Sequence, residues 1–233
     1  MVLEVIKTAD GSDTVFREDL NQHYHSTFGA LQESEYIFIS TGLITAIDKF
    51  REAGGGLTKP LNILEIGFGT GLNALLACML SGKQGLRVDY TAIEPFPLDR
   101  GLTDRLNYDR MVTQGDEGAI FGKLHLADWN SPVEISPHFT LHKIREKLQE
   151  YQPPANRFHL VFFDAFGPDA QPELWTEQIF RTLGLGMIPG GILVTYSVKG
   201  IVVRAFRSAG FQTEKLPGPP GKRHILRATW TER

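Results

Sequence analysis

Leu61-Asn-Ile-Leu-Glu65-Ile-Gly67-Phe-Gly69-Thr-Gly71-Leu-Asn73 is the stretch around which the 233-residue chain is organised. Its first half, Leu61 to Ile66, is a short apolar run of strand length, and the residues from Thr70 to Asn73 open a helix. Between them stand three glycines at alternate positions. A glycine reaches backbone shapes closed to other residues and has no Cβ to hold a ligand off the main chain, so strand, glycines and helix together predict a ligand-binding turn. The spacing Gly-x-Gly-x-Gly departs from the dinucleotide fingerprint, whose third glycine falls one residue later to let helix and sheet pack closely.

The flanking residues narrow the ligand. A second apolar run, Arg87 to Ile93, ends in Glu94, where an open α/β sheet places the acid that binds ribose hydroxyls. Glu65, just before the glycines, is a further feature common in S-adenosylmethionine sites. Phe96 in the following Pro95-Phe96-Pro97-Leu98 turn can stack on an adenine or pack into the core. Lys123 to Ala127 reads as a third strand ending at Asp128, an acid that could meet the adenine amino group or act as a turn or helix cap.

Length and composition set the frame. The chain is long enough for one large α/β domain with a small appendage, and 42% hydrophobic with 22% charged residues is ordinary for a globular protein, which excludes disordered and fibrous classes. The single cysteine, Cys78, has no partner for a disulfide or zinc cluster and belongs to core packing. Two nearby histidines, His23 and His25, are weak support for a metal without further ligands, and no metal is expected. The start carries acids among its apolar residues and no run of about 18 apolar residues occurs, so neither a signal peptide nor a membrane span is expected and the location is cytoplasmic. The net charge of −3 disfavours a generally basic nucleic-acid binder, yet Lys199 to Arg233 holds eight Lys or Arg against two Glu, net +6, leaving −9 elsewhere. Such asymmetry suggests a polyanionic partner, or merely a solvated face.

The order of elements completes the expectation. Residues 1–56 are read as a hairpin about Asp10-Gly11-Ser12-Asp13, a polar site loop from Asn21 to Ala30, a helix from Gln32 to about Arg51 and a flexible Gly54-Gly55-Gly56 link. Residues 57–233 form the Rossmann-like domain. Within it 131–155 reads as an insertion with an amphipathic helix across His142 to Tyr151. Helices are expected near Leu98 to Tyr108, with a further segment running on to Phe121, and from Val198 to Ala209. Phe158 to Phe163 is a nearly continuous apolar run, as a central parallel strand buried on both faces should be, and it ends at Asp164. Phe211 to Leu216 and His224 to Trp230 are joined by a link too short for a helical crossover, hence an antiparallel hairpin. Seven strands, mostly parallel, with a final antiparallel hairpin and a small N-terminal extension, make the class I S-adenosylmethionine methyltransferase fold.

Four acids, Glu65, Glu94, Asp128 and Asp164, then converge at strand ends, where such sheets bind ligands. A sulfonium methyl is already electrophilic, so the protein must chiefly align the acceptor and leave its lone pair free. Asp164 can take a proton from an acceptor amine or orient it, with Phe166 walling the pocket; a helix cap is the alternative reading.

Taken together, Asp10-Gly11-Ser12, His23-Tyr24-His25-Ser26, Gly29-Ala30-Leu31-Gln32-Glu33-Ser34, the glycine turn, Glu94-Pro95-Phe96-Pro97-Leu98, Asp164-Ala165-Phe166-Gly167-Pro168 and Pro172-Glu173-Leu174-Trp175 resemble the methyltransferase half of the bifunctional tRNA-modifying MnmC enzymes. The resemblance runs from about residue 10 to Gly221-Lys222-Arg223. It implies methyl transfer from S-adenosyl-L-methionine to the exocyclic amine of 5-aminomethyl-(2-thio)uridine at the tRNA wobble position. Carried over by motif, Glu65, Gly67, Gly69, Gly71, Asn73 and Glu94 hold the cofactor, Asp164 faces the amine, and His25 and Glu33 border the cavity. Lys222 and Arg223 are candidates for the tRNA backbone. The bifunctional enzymes also carry a flavin-dependent oxidase, for which 233 residues leave no room, so the expected acceptor is an amine already freed, installed by a partner enzyme. A spermidine synthase-like aminopropyltransferase and a silent nucleoside- or RNA-binding scaffold are the competing readings.

Overall fold

The structure is a computed structural model that describes residues 2–55, 59–112 and 118–231. Gly56, the boundary between 56 and 57, and the middle of the segment expected between Tyr108 and Phe121 lie outside the described residues.

The chain begins with β1 (Leu3–Lys7), β2 (Asp13–Arg17) and the short β3 (Gln22–His23), an antiparallel sheet that contains the expected hairpin. One helical stretch follows, α-helical over α1 (Ala30–Ser34), π-helical over Glu35–Ile44 and α-helical again over α2 (Thr45–Glu52). Its apolar residues join the core of the main sheet, with Phe38 edge-on to Phe162 at 5.3 Å. Gly42 makes this approach possible: a Cβ there would lie 2.8 Å from Val194 Cγ2.

The N-terminus of α1 is capped by residues distant in sequence. Asp10 Oδ2 accepts from the Gln32 amide at 3.0 Å, and Ser12 Oγ accepts from the amides of Ala30 and Leu31 at 3.1 and 3.2 Å. Asp10-Gly11-Ser12 is therefore a helix cap supplied by the hairpin. Gly29 is required beside it, since at φ +155° any Cβ would fall 2.6 Å from Asp10 Oδ2. Burial alone would raise the Asp10 carboxyl pKa, but bonds from Ser12, Gln32 and Thr8 outweigh it and hold the group below its usual value. A folded-state value below the unfolded one gives stability present above the unfolded pKa and lost as pH falls through the folded one. Asp10→Ala is expected to destabilise the protein by about 1 kcal/mol, as helix-cap losses do. In thermal melts the gap from wild type should close in acid; an equal gap at every pH would remove the carboxylate from the cap.

Among the described residues the main sheet has eight strands in the order β10-β11-β9-β8-β4-β5-β7-β6. These are β4 (Leu61–Ile66), β5 (Val88–Ile93), β6 (Pro132–Ser136), β7 (Phe139–Ile144), β8 (Phe158–Phe163), β9 (Met187–Thr195), β10 (Phe211–Pro217) and β11 (His224–Trp230). The pairs β4/β5, β4/β8, β5/β7 and β8/β9 are parallel, while β9/β11, β10/β11 and β6/β7 are antiparallel. The remaining helices are α3 (Leu72–Gln84), α4 (Arg100–Thr103), α5 (Tyr108–Val112), α6 (Gly118–Leu126), α7 (Glu177–Gly186) and α8 (Gly200–Ala209). The strand order reverses between β4 and β8. That switch point is where an open α/β sheet leaves a crevice for a ligand.

Two expectations are corrected together. Lys123 to Ala127 is not a strand: it lies at the end of α6 and just beyond, where Phe121 and Leu124 are buried at helical spacing. So short an apolar run fits either period. The missing strand is β7, inside 131–155, which is no insertion, and the expected helix across His142 to Tyr151 does not form over the strand. Phe139, Leu141 and Lys143 are buried at alternate positions, the period of a strand, and β7 pairs in parallel with β5 from Val88↔Phe139 to Ile93↔Ile144. The buried lysine conceals that period. β6 then adds an antiparallel edge, which brings the count to eight instead of seven.

Candidate active site

The glycine turn bends over the carboxyl ends of β4 and β8. Gly67, Gly69 and Gly71 have φ of +89°, +48° and +77°, the left-handed region that glycine enters without strain. At Gly67 there is also no space for a side chain, because a Cβ would stand 2.9 Å from the Asp164 carbonyl oxygen. The turn is thus pressed directly against the loop after β8.

A cavity of about 630 Å³ opens at this junction. Its wall includes Gly67, Gly69, Asn73, Glu94 and Phe96 together with His25, Glu33, Asp164, Phe166 and Lys222. Most of the expected site residues therefore converge. Gly71 is not on the wall but immediately precedes α3, with the His125 ring against its Cα side. Asp128 does not join them: it is exposed beyond α6 and away from the cavity, since the strand that was to deliver it is a helix. The loop after β7 takes that side of the wall, through Lys147, Leu148 and Gln149, and no motif in the sequence marked them.

Glu65 lies behind the wall, 1% exposed, and its side chain touches it through Asn73. Asn73 Nδ2 donates to Glu65 Oε1 at 3.0 Å and to Asp164 Oδ2 at 2.8 Å, so one amide ties the glycine-turn acid to the acid across the sheet. Burial, then the Asp164 charge, raises the Glu65 pKa well above the ordinary carboxylate range. Glu65 Oε2 and Asn73 Oδ1 are buried with no hydrogen-bond partner.

Glu94 grips the turn from the far side. Its Oε2 accepts from the Gly69 amide at 3.2 Å and its Oε1 from the Phe96 amide at 2.9 Å. Burial raises its pKa against these bonds. Phe96 is exposed at the cavity wall and so belongs to the site, not to the core.

Thr70, inside the turn, is held by two histidines. His25 Nε2 lies 2.7 Å from Thr70 Oγ1, and His125 Nε2 donates to the Thr70 carbonyl oxygen at 3.1 Å. Burial pulls both imidazoles down to about 4, so both are neutral at physiological pH. His25 is thus a support for the turn as well as a cavity neighbour. His23, by contrast, is exposed against Phe16, and among the described residues no group of three His, Cys, Asp or Glu is placed to hold a metal ion.

The loop after β8 is strapped from behind. Tyr196 donates to the Ala165 carbonyl oxygen at 2.8 Å and Trp175 Nε1 donates to that of Phe166 at 2.8 Å, fixing the loop that carries Asp164. Asp164 caps no helix; Thr176 caps α7. Burial, then the Glu33 charge, raises the Asp164 pKa well above the usual range, while Asn73 and Lys222 pull it down. Lys222 is not a free surface cation. Its Nζ is 3.1 Å from Glu33 Oε1 and 5.0 Å above the Tyr196 ring, whereas Arg223 is exposed.

This fold and site define a class I methyltransferase, and residues 130–231 match the model of a family described as S-adenosyl-L-methionine-dependent methyltransferase. The chain is similar to that family and, along most of its length, to the methyltransferase part of the MnmC proteins. It is 31% identical over 217 residues to the tRNA 5-methylaminomethyl-2-thiouridine biosynthesis bifunctional protein MnmC of Aromatoleum aromaticum, covering 88% of this chain and 32% of the relative. The protein of the same name from Nitrosospira multiformis is 28% identical over 208 residues, 87% of this chain and 33% of that protein. The chain therefore spans about a third of the length of these curated relatives. The crystal structure of MNMC2 from Aquifex aeolicus superposes with a TM-score of 0.78 at 25% identity, covering all of this chain and 72% of that one. A probable spermidine synthase from Corynebacterium glutamicum, at TM-score 0.51 and 17% identity over 99% of this chain and 77% of that one, shares the fold alone.

Proposed function

We propose that the protein methylates the exocyclic amine of 5-aminomethyl-(2-thio)uridine at the wobble position of tRNA, giving the 5-methylaminomethyl product. The observation that carries this reading is the Glu65–Asn73–Asp164 chain, which ties an acid on the acceptor side to the glycine turn on the donor side of one cavity. The MnmC relatives supply the nature of the acceptor.

The residues present fit the cofactor. Gly67 and Gly69 bare the turn, Glu94 has lone pairs left for ribose hydroxyls, and Phe96 offers a ring to the base. The unpartnered Asn73 Oδ1 beside the turn suits a ligand ammonium. When bound, S-adenosyl-L-methionine supplies an electrophilic methyl group on a sulfonium.

The work left to the protein lies on the acceptor. An alkylamine enters as its ammonium ion and must lose a proton before its nitrogen can attack. Asp164 accepts that proton: burial that raises a carboxyl pKa also lowers an ammonium pKa, bringing donor and acceptor closer to balance. Once that proton has passed on to solvent, the Asp164 carboxylate faces the positive charge that grows on nitrogen as the C–N bond forms and the bond from the methyl to sulfur breaks. Phe166, edge-on to Tyr24 at 5.0 Å and with the Arg17 guanidinium 5.7 Å over its ring, walls that part of the chamber.

Arg223 and its exposed neighbours remain candidates for the RNA backbone. Among the described residues no helix is long and apolar enough to cross a membrane, and we place the protein in the cytoplasm with its tRNA, downstream of an enzyme that installs the aminomethyl group.

The test is direct. Incubation with S-adenosyl-L-methionine and tRNA from cells lacking wobble-uridine methylation should add the mass of one methyl group to that nucleoside. Unchanged tRNA from protein that binds the cofactor would refute the assignment.

A further inference from the structure

The Glu33–Lys222 pair is a part of the cavity that the proposed reaction does not use. Glu33 arrives on α1 and is fixed by the Ser26 amide, which donates to its Oε2 at 2.7 Å. Lys222 arrives on the loop between β10 and β11, where Gly221, at φ +85°, leaves space for the Phe28 ring to lie against it. The loops carrying the pair are thereby interlocked. With side chains only 10% and 27% exposed, the two ions are screened far less than a surface pair. The Tyr196 ring 5.0 Å from the ammonium adds a cation–π contact.

Of the charged groups that line the chamber, which also include Arg17, Glu94, Lys147 and Glu173, Glu33 and Lys222 are the ones whose charges act on Asp164, so two carboxylates and one ammonium share its neighbourhood. Two acids facing one cavity would hold the two ends of a diamine. Here one of those positions is already filled, by an ammonium on an alkyl stem, which is what a diamine would bring. We propose that Lys222 is a specificity-determining residue: its ammonium permanently occupies the place at Glu33, so that the cavity takes an acceptor with a single ammonium, at Asp164, and turns away diamines and polyamines. This rests on reading Asp164 as the place of the acceptor amine. A second ammonium could reach Glu33 only by displacing Lys222 from Glu33 and Tyr196, or by sitting beside it with like charge.

Amine titrations into the full chain loaded with S-adenosylhomocysteine test the idea. Putrescine and butylamine share a carbon chain and differ by one ammonium. Wild type and Lys222→Arg should bind putrescine no more tightly than butylamine. Lys222→Met should prefer putrescine by about tenfold, the scale of one ion pair worth roughly 1.4 kcal/mol. The double variant Glu33→Gln with Lys222→Met should lose that preference again. An unchanged ratio in Lys222→Met that still binds S-adenosylhomocysteine overturns the proposal, as does a putrescine preference already present in wild type. So does an unchanged ratio coupled to weaker tRNA binding, which would make Lys222 an RNA contact. Failure of wild type to methylate tRNA would instead strike the proposed reaction and leave the amine ratios standing.

Discussion

Asp164→Asn is expected to lower turnover on tRNA by roughly 10²- to 10⁴-fold, the range associated with loss of a positioned general base. Cofactor affinity should hold, because the asparagine Oδ1 can still accept from Asn73 Nδ2 and the loop straps from Tyr196 and Trp175 are untouched. The wild-type rate should rise with pH along an acid limb lying above the usual aspartate range, since burial and the Glu33 charge raise the Asp164 pKa. In the variant that limb should vanish.

Stability guards this experiment against trivial loss of fold. A carboxyl whose folded-state pKa is raised stabilises the native state in its protonated form, and that contribution is lost as pH rises through the folded value. The uncharged variant escapes the loss, so at alkaline pH it should melt no lower than wild type. A well-folded variant that methylates at the wild-type rate would remove Asp164 from the chemistry.

Glu94→Ala carries the second large effect, on the donor side. It removes the proposed ribose acceptor and leaves the Gly69 and Phe96 amides without the oxygens they now donate to, at 3.2 and 2.9 Å. Hydrogen bonds to a charged group contribute about 1.5 to 3 kcal/mol, so the dissociation constant for S-adenosylhomocysteine should rise roughly 10- to 100-fold by calorimetry. Asp128→Ala is the matched control: exposed and off the cavity, it should leave that constant unchanged. Equal behaviour of the two variants would sink the assignment of Glu94.

The glycine-turn part of the cavity was legible because it is local. Strand, glycine turn and helix lie within thirteen consecutive residues, and Glu94 ends the next strand. Short-range geometry alone brings these groups together. Phe158–Phe163 was legible for a similar reason, since burial on both faces leaves an unbroken apolar run. The acids Glu65 and Asp164 were found at strand ends, but their joint hold on Asn73 was not, because Asn73 Nδ2 meets Asp164 across 91 residues of chain.

Where a residue's surroundings come from remote elements, its type misleads. Lys143 is 1% exposed, its Nζ donating to the His125 carbonyl oxygen at 3.0 Å and lying 4.7 Å from the Trp129 ring. Burial lowers its pKa to about 8. A lysine that is buried looks polar in any pattern, so β7 passed for part of an insertion and α6 for a strand. Asp10-Gly11-Ser12 marked a turn, yet nothing nearby said that its oxygens cap a helix twenty residues on.

By itself, the sequence determined the class of fold and the glycine turn with the acids close to it, because strand and helix periods and glycine conformations act over a few residues. Only the tertiary structure decided which acid reaches the cavity. It withdrew Asp128, set Glu65 behind Asn73, and turned Lys222 from a surface charge into Glu33's partner. Those outcomes depend on which elements pack side by side, and on the low-dielectric surroundings they create, where Lys222, Glu33 and Asp164 must reach a balance that no linear pattern records.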